Sequence, residues 1–248
     1  MPETGLHFTD PAWRTTLAAL GLRDIDDFFT HDAVVAWRSI RERENCVLET
    51  ALGKLHVKRM YKPGGAADAI AEVAGIEHLT RLGIPTTPLI AHASDEAGRG
   101  LIVTEDLAGF VQLDQLLADG RAQWEQLAAP TARLAAKLHT RLHHRDLYLC
   151  HFLGRFDADG LLELRLIDPA RVKPLPNWFA KRWIVKDLAQ FRYGSVEAGV
   201  SPGALDAWLR HYGRPDLRAA VVRKFNRIAR HDASLQRKQP ERRVSIHD

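Results

Sequence analysis

Alternating polar and apolar residues make the first part of the chain strand-rich. Residues 43–49 alternate with a period of two, and residues 55–60 repeat that pattern after a glycine turn, so both are predicted to be strands. Residues 69–82 carry apolar side chains every three to four positions, which predicts a helix that ends at Gly83. A further short strand is predicted over residues 100–104. This part is therefore expected to form a small antiparallel sheet with one helix.

Helical spacing dominates the second part of the chain, and a short N-terminal helix is predicted where Asp10 precedes Pro11. A hairpin is predicted around the turn sequence at residues 157–160. The predicted helices cover residues 124–138, 181–191, 205–212 and 221–228, and the hairpin strands cover 152–156 and 161–167. Strands followed by helices predict an α+β fold and not a doubly wound sheet.

Composition and charge narrow the class of protein. The 248 residues are 46% apolar and 27% charged, as in a soluble globular protein, and no apolar run reaches the length of a membrane span. The first five residues do not resemble a signal peptide. The two cysteines, Cys46 and Cys150, are far apart, so a reducing compartment is expected and Cys150 is interpreted as a buried thiol. We therefore expect a cytoplasmic protein.

The net charge of +4 is concentrated near the C-terminal end. That concentration indicates an anionic partner, although a solvated helix face with a frayed tail explains it equally well. The basic residues in question are Arg218, Arg223, Lys224, Arg227, Arg230, Arg237, Lys238, Arg242 and Arg243.

The most specific segment is His144-Arg145-Asp146, with His151 five residues after the aspartate and Asp168 at the end of the predicted hairpin. Phosphoryl transfer needs a carboxylate near the acceptor hydroxyl and ligands for a metal on the β- and γ-phosphates. A kinase catalytic loop supplies these groups as an Asp, a metal ligand five residues later and a second Asp after a hairpin. The spacing of Asp146, His151 and Asp168 therefore predicts a kinase.

Lys58 and Glu72 precede that segment in the order expected of a phosphate-binding lysine and the glutamate that orients it. Each alone is more often a surface charge. The backbone of residues 104–107, which include Glu105 and Leu107, is predicted to form a hinge that hydrogen-bonds the adenine edge. One glycine, Gly53, lies between Arg41 and Lys58, so a flexible glycine loop over the phosphates is not predicted.

These motifs resemble the lipopolysaccharide kinase (Kdo/WaaP) family, which belongs to the protein-kinase-like superfamily. The catalytic-loop sequence of residues 144–153 is similar to that of the family, including His in place of the usual kinase Asn. Residues 166–171 are similar to its metal-binding segment, residues 102–107 to its hinge and residues 186–188 to the start of a C-lobe helix. The resemblance covers roughly residues 41–195.

The resemblance implies a two-lobed protein-kinase-like fold. Residues 1–32 would be a helical extension, 33–107 a small N-lobe with the nucleotide-binding sheet, and 108–248 a larger helical C-lobe. It also implies ATP with Mg²⁺ or Mn²⁺ as cofactors, Asp146 as the base, His151 and Asp168 as metal ligands, and Lys58 on the phosphates. The acceptor would be a Kdo or heptose hydroxyl of the lipopolysaccharide core, and the basic C-terminal region suits peripheral contact with the inner membrane.

Other interpretations stay open from the sequence. The acceptor could instead be a hydroxyl of a protein or of another small molecule, because a fold does not fix its substrate. A non-catalytic pseudokinase is a second alternative, and a zinc site formed by His139, His143, His144 and His151 is a weaker one. Trp178, Trp183 and Trp208 lie near basic residues, but core packing is the preferred interpretation for tryptophans at helical spacing, and nucleic-acid binding is not expected.

Overall fold

The computed structural model describes residues 5–61 and 64–238. Outside this part lie residues 1–4, 62–63 and 239–248, which include Arg242 and Arg243 of the basic end. The described chain divides into two compact units. The first holds the residues up to Glu77 with Thr86–Ala108 and Asp168–Ala170, and the second holds His78–Pro85, Gly109–Ile167 and the residues from Arg171 onward.

The first unit is built around an antiparallel sheet. Its elements in chain order are β1 (His7–Phe8), α1 (Pro11–Ala19), α2 (Ile25–Thr30), β2 (Val35–Ile40), β3 (Arg43–Thr50), β4 (Gly53–Met60), α3 (Gly65–Arg81), whose last turn belongs to the second unit, β5 (Leu89–Ser94) and β6 (Gly100–Glu105). The strands lie in the order β1-β5-β6-β4-β3-β2. Every pair is antiparallel.

Alternation along β3 and β4 explains where the core of this unit lies. Cys46 and Leu48 of β3 and Leu55 and Val57 of β4 are all fully buried on one face of the sheet. Leu17 of α1 is buried against the same cluster, as the predicted N-terminal helix requires. Because neighbouring residues of a strand point to opposite faces, Lys58 projects from the other face.

At one edge of the sheet, β2 departs from regular pairing. Its register with β3 shifts between Ala36 and Arg38, so the strand carries a bulge. Val35, Trp37 and Ile40 are between 48% and 57% exposed. The sequence analysis did not predict this strand, because the apolar residues at positions 35, 36, 37 and 40 do not alternate with polar ones.

The second unit is mainly helical. Its elements are β7 (Val111–Gln112), α4 (Leu113–Ala118), α5 (Trp124–Leu138), β8 (Leu142–His143), β9 (Phe152–Phe156), β10 (Leu162–Leu166), β11 (Lys173–Pro174), α6 (Ala180–Glu197), α7 (Pro202–His211) and α8 (Arg218–Lys238). The predicted hairpin is present as β9 and β10, with Gly160 of its turn at a φ of +74°. The α+β prediction is confirmed.

Aromatic rings form the centre of this unit. Phe191 of α6 stacks on Trp208 of α7 with ring centroids 4.2 Å apart, and its edge meets Phe152 of β9. The prediction that Trp208 packs in the core is therefore confirmed. Trp178 differs, because it is 92% exposed, and its interpretation as packing material was wrong.

The start of one predicted helix needs correction. Helix α3 begins at Gly65 and not at residue 69. A Cβ at Gly65 would meet the Met60 carbonyl oxygen at 2.4 Å, so glycine is required at this position. Helix α5 runs without interruption through Pro130. Within residues 5–61 and 64–238, no helix is both long and apolar enough to cross a bilayer.

Candidate active site

A buried carboxylate holds the segment that precedes Asp146. Asp187, in the first turns of α6, is fully buried. Its Oδ2 accepts the amide hydrogen of His144 at 2.7 Å, and its Oδ1 accepts that of Arg145 at 2.8 Å. Hydrogen bonds to a charged acceptor are stronger than neutral ones, so this pair fixes the backbone immediately before the predicted base.

Arg145 adopts a left-handed conformation, with a φ of +69°. Such a conformation is unfavourable for a residue with a side chain and persists where surrounding contacts hold it. Besides the bond to Asp187, the Lys186 ammonium donates to the Arg145 carbonyl, and the guanidinium lies 4.8 Å from the ring centre of Trp183. These contacts turn the chain so that Asp146 follows in a defined direction.

The Asp146 carboxylate is partly open to solvent, with 24% of its side chain exposed. Its Oδ1 accepts a hydrogen bond from the Gln190 amide at 3.1 Å, and its Oδ2 lies 3.4 Å from Arg171 Nη1. Tyr148 lies beside this group, and burial raises its pKa, so the phenol stays neutral. A carboxylate that is oriented by an amide and still exposed can accept a hydrogen bond from a substrate hydroxyl.

His151 has a defined tautomer. Its Nδ1 lies 2.6 Å from the Asp146 carbonyl oxygen, and a carbonyl can only accept, so Nδ1 carries the hydrogen. The lone pair of the neutral ring is therefore on Nε2, which is the arrangement of a metal-binding histidine. Among the described residues, no cluster of three or more His, Cys, Asp or Glu side chains is placed to hold a metal by itself.

Asp168 follows Ile167 in the chain and also adopts a left-handed conformation, with a φ of +56°. Ile167 is bonded on both sides, since its amide donates to the His151 carbonyl at 2.9 Å and its carbonyl accepts from His144 Nε2 at 3.1 Å. The helix α3 of the first unit packs against the residue after Asp168. At Gly75, an added Cβ would lie 2.0 Å from the Pro169 carbonyl oxygen, so only glycine fits there.

In the first unit, Lys58 of β4 and Glu72 of α3 form an ion pair with an Nζ···Oε1 distance of 2.5 Å. The Glu72 side chain is 5% exposed and that of Lys58 is 27% exposed. The glutamate is therefore a buried anchor, while the ammonium keeps a face open to a ligand. The two residues were predicted to act together, and the structure places them in contact.

The predicted hinge begins where β6 ends. The amide of Glu105 donates to the Pro88 carbonyl, and the amide of Asp106 donates to the Lys54 carbonyl, both at 3.1 Å. Leu107 follows, half-buried. The Asp106 carboxylate also bonds His56 at 2.6 Å. The strands β2 and β3 are joined by a tight turn at residues 41–42, which contains no glycine.

A buried polar chain links Asp187 to α7. His139 Nε2 lies 3.2 Å from Asp187 Oδ2, and His139 Nδ1 lies 2.8 Å from the Tyr212 hydroxyl. Burial alone raises the pKa of Asp187, but the hydrogen bonds from His139 and His144 outweigh it, and the pKa is lowered. His139 caps the C-terminus of α5, and its side chain takes part in this chain of bonds.

The structure distributes the predicted site residues over the two units. Lys58, Glu72, Glu105, Leu107 and Asp168 belong to the first unit, and Asp146 and His151 belong to the second. Their roles stay predictions. The sequence analysis missed the supporting residues Asp187, Gln190 and Gly75. The only signal for Asp187 was the Lys-Asp-Leu sequence at residues 186–188.

Comparisons with known proteins place this arrangement in a family. The sequence model of the lipopolysaccharide kinase (Kdo/WaaP) family matches residues 36–212. The lipopolysaccharide core heptose(I) kinase WaaP of Pseudomonas aeruginosa is 32% identical over 162 residues, which are 59% of this chain and 60% of that protein. The protein of the same name from Escherichia coli K12 is 30% identical over 125 residues, 46% of this chain and 47% of its own length. The chain therefore aligns with three-fifths or less of these relatives.

A solved structure agrees with the family match. The structure described as WaaP in complex with acyl carrier protein superposes with a TM-score of 0.68 and 27% identity, covering 91% of this chain and 98% of that one. The fold is protein-kinase-like, as predicted. Because the family match extends over well more than half of the 248 residues, the chain belongs to the lipopolysaccharide kinase (Kdo/WaaP) family.

Proposed function

We propose that the protein is an ATP-dependent kinase that phosphorylates a sugar hydroxyl, of Kdo or heptose, in the inner core of lipopolysaccharide. The observation that carries the proposal is the Lys58–Glu72 ion pair at 2.5 Å, in which the carboxylate is buried and the ammonium is partly exposed. A buried carboxylate that orients a partly exposed lysine is what phosphate binding in this fold requires. A surface ion pair without function has no need of a buried glutamate.

The chemistry assigned to the chain is positioning and charge stabilisation. Lys58 would bind the phosphates of ATP, and Glu72 would keep its ammonium oriented. Asp146 would accept a hydrogen bond from the acceptor hydroxyl and take up its proton as the new P–O bond forms and the bond to ADP breaks. The Glu105 carbonyl and the Leu107 amide would hydrogen-bond the adenine edge. Family membership and the support around Asp146 favour this assignment.

The residues present fit a divalent metal. His151 of the second unit would contribute Nε2, which holds the lone pair of the neutral ring, and Asp168 of the first unit would contribute carboxylate oxygens. Bound there with ATP, Mg²⁺ or Mn²⁺ would neutralise charge on the β- and γ-phosphates. Imidazole suits Mn²⁺ better than Mg²⁺, which prefers oxygen ligands.

We further propose a cytoplasmic protein whose acceptor is an anionic glycolipid at the inner membrane. The named relatives are heptose(I) kinases, and this favours heptose over Kdo as the sugar. The basic surface described below favours an anionic partner. A protein or another small-molecule hydroxyl is the alternative acceptor.

Mass spectrometry of core oligosaccharides incubated with ATP and the purified protein tests the proposal. A gain of about 80 Da that is lost in Asp146→Ala is the expected result, with a rate loss on the order of 100- to 10,000-fold because the general base is removed. Phosphorylation at an undiminished rate in Asp146→Ala would refute the role of Asp146.

A second measurement separates an enzyme from a pseudokinase. A ligand that binds only the folded protein raises the melting temperature. We expect ATP with Mg²⁺ or Mn²⁺ to raise the melting temperature of the wild type and to do so less in Lys58→Ala. If ATP has no effect with either metal, the chain is a binding module and not a kinase.

A further inference from the structure

A basic groove lies beside the catalytic loop of the second unit, between the start of α6 and the middle of α8. It is lined by seven cationic side chains, namely Arg145, Lys181, Arg182, Lys186, Arg223, Lys224 and Arg227. Among the described residues that line it, none is acidic. The nearby Asp216, whose pKa is lowered chiefly by Arg214 and in part by Lys181, is already held by two bonds of 2.8 Å to Arg214. Asp146 and Asp187 also act on Lys186. Seven cations outnumber these three acidic groups, so the groove carries a net positive charge.

Two adjacent aromatic residues at the rim of the groove face solvent. Trp178 is 92% exposed and Phe179 is 63% exposed. The backbone there is hydrogen-bonded on both sides, because the Phe179 amide donates to the Pro176 carbonyl and the Phe179 carbonyl accepts from the amide of Arg182. The fold thus presents an aromatic pair to solvent from a fixed turn. Exposing that much apolar surface without a partner is unfavourable, and such patches mark interaction sites.

Helix α8 contributes cationic side chains to this groove, whereas the apolar face of the helix lies elsewhere. Its apolar residues Val221, Phe225 and Ile228 pack into the core of the second unit. Arg223 and Arg227 lie on the exposed side. Trp183, Val185 and Ala220 also line the groove, and Trp178 and Phe179 are its most exposed apolar side chains.

We propose that this surface, Trp178 and Phe179 with the cations of the groove, docks on an anionic phospholipid membrane. Tryptophan and phenylalanine insert at the level of the headgroups, and lysine and arginine attract anionic lipids, so the combination is that of a peripheral membrane contact. A purely electrostatic partner, such as an acidic protein or a nucleic acid, would leave the exposed aromatic pair without a role.

The proposal also accounts for the position of the groove. Arg145 lines it and is the residue before Asp146, so docking brings the proposed base to the membrane surface. In this respect the inference rests on the proposed function, because an acceptor glycolipid would be presented there. Membrane binding itself does not require catalysis, and the test uses binding as its measurement.

Partitioning onto phosphatidylcholine vesicles, with and without phosphatidylglycerol, measures docking by the full chain. Each cation at an anionic surface contributes about five-fold to partitioning, so Arg223→Gln/Lys224→Gln/Arg227→Gln should lose on the order of 100-fold. Trp178→Ala/Phe179→Ala should lose roughly 10-fold, because two partly inserted rings are removed. These five side chains are largely outside the core, and a melting curve of each variant checks that it folds.

Matched controls carry the same changes elsewhere. Arg121→Gln/Arg133→Gln/Arg210→Gln removes three exposed charges, and Trp37→Ala removes an aromatic that is 57% exposed. Both controls should partition as the wild type does. Asp146→Asn should also bind vesicles normally, so failure of the kinase proposal leaves this one testable.

Two results would overturn the docking proposal. One is wild-type partitioning that does not depend on phosphatidylglycerol, or that falls equally in the control variants. The other is equally strong binding to polyglutamate or heparin that the aromatic substitutions leave unchanged, which would assign the groove to an acidic macromolecule.

Discussion

Replacing Asp187 by Asn tests whether one buried carboxylate holds the proposed catalytic loop. The change keeps the size of the side chain but turns one acceptor oxygen into a donor. If the new NH₂ replaces Oδ1, it faces the amide of Arg145, and if it replaces Oδ2, it faces the amide of His144 and the His139 ring. In either orientation at least one buried N–H loses its acceptor.

The magnitude follows from these contacts. A buried donor without a partner costs about 1–3 kcal/mol, and the remaining bonds lose their charge assistance, so the free energy of unfolding should fall by about 3–5 kcal/mol. Because Asp146 is placed by this backbone, kcat should fall on the order of 100-fold, which is the effect of a misplacement of about 1 Å. The KM for ATP should change little, since Lys58 and Glu72 are untouched.

Denaturant-induced unfolding and steady-state kinetics measure both effects. The lowered pKa of Asp187 adds a pH signature. The charged carboxylate contributes its full stabilisation above the pKa of Asp in the unfolded chain, about 4. That stabilisation is lost as the pH falls through the lower pKa of the folded state, and the Asn variant should not show this loss. Asp216→Asn is the matched control, because its ion pair with Arg214 is exposed on both sides and should contribute little to stability. If Asp187→Asn unfolds and turns over like the wild type, the loop is held by other contacts.

Three further predictions concern Gly75 beside Pro169, His143 before the proposed catalytic loop, and the proposed metal ligand His151. Gly75→Ala should cost about 1–3 kcal/mol of stability and lower kcat, because the new Cβ meets the Pro169 carbonyl at 2.0 Å. Burial lowers the pKa of His143 to about 4, so as the pH falls the unfolded chain takes up a proton before the folded chain does. The denaturant concentration at the midpoint of unfolding should therefore fall as the pH drops from about 6.5 toward 4 in the wild type. In His143→Phe this decrease should be smaller. Mn²⁺ should support activity at least as well as Mg²⁺, and His151→Asn should shift the preference toward Mg²⁺ in paired metal titrations, because its ligand atom becomes an oxygen.

Each of these predictions has a control or a contrary outcome. Gly203→Ala is the counterpart of Gly75→Ala, since a Cβ there meets nothing within 4 Å, and it should be neutral or slightly stabilising. An unchanged pH slope in His143→Phe, whose ring still stacks on Trp183, would assign the slope to another group. Identical metal preference in the wild type and His151→Asn would remove His151 from the ligands.

Local patterns in the sequence were sufficient to predict much of the fold. The strands β3 and β4, the hairpin of β9 and β10, and helix α7 were identified because their apolar residues recur with the period of the element. The spacing of Asp146, His151 and Asp168 depends on that hairpin, and the hairpin is present. Strands β1 and β7, with two residues each, are too short to show a period.

Contacts between distant residues could not be predicted in the same way. Asp187 acts on a loop more than forty residues earlier, and only tertiary structure shows its bonds to His144 and Arg145. A helical pattern does not show the role of Gly75, because that role depends on the close approach of Pro169. The exposure of Trp178 reversed its interpretation, because a periodic pattern does not show which face of an element is covered.

The bulged outer strand β2 has a consequence for the behaviour of the protein in solution. An unpaired strand edge offers its amides and carbonyls to a strand of another molecule, and exposed apolar side chains strengthen such pairing. On β2, Trp37 and Ile40 favour self-association, whereas the bulge and the charge of Arg38 oppose it. Since salt screens a surface charge but not a hydrophobic contact, concentrated samples should aggregate through this edge more readily at high ionic strength.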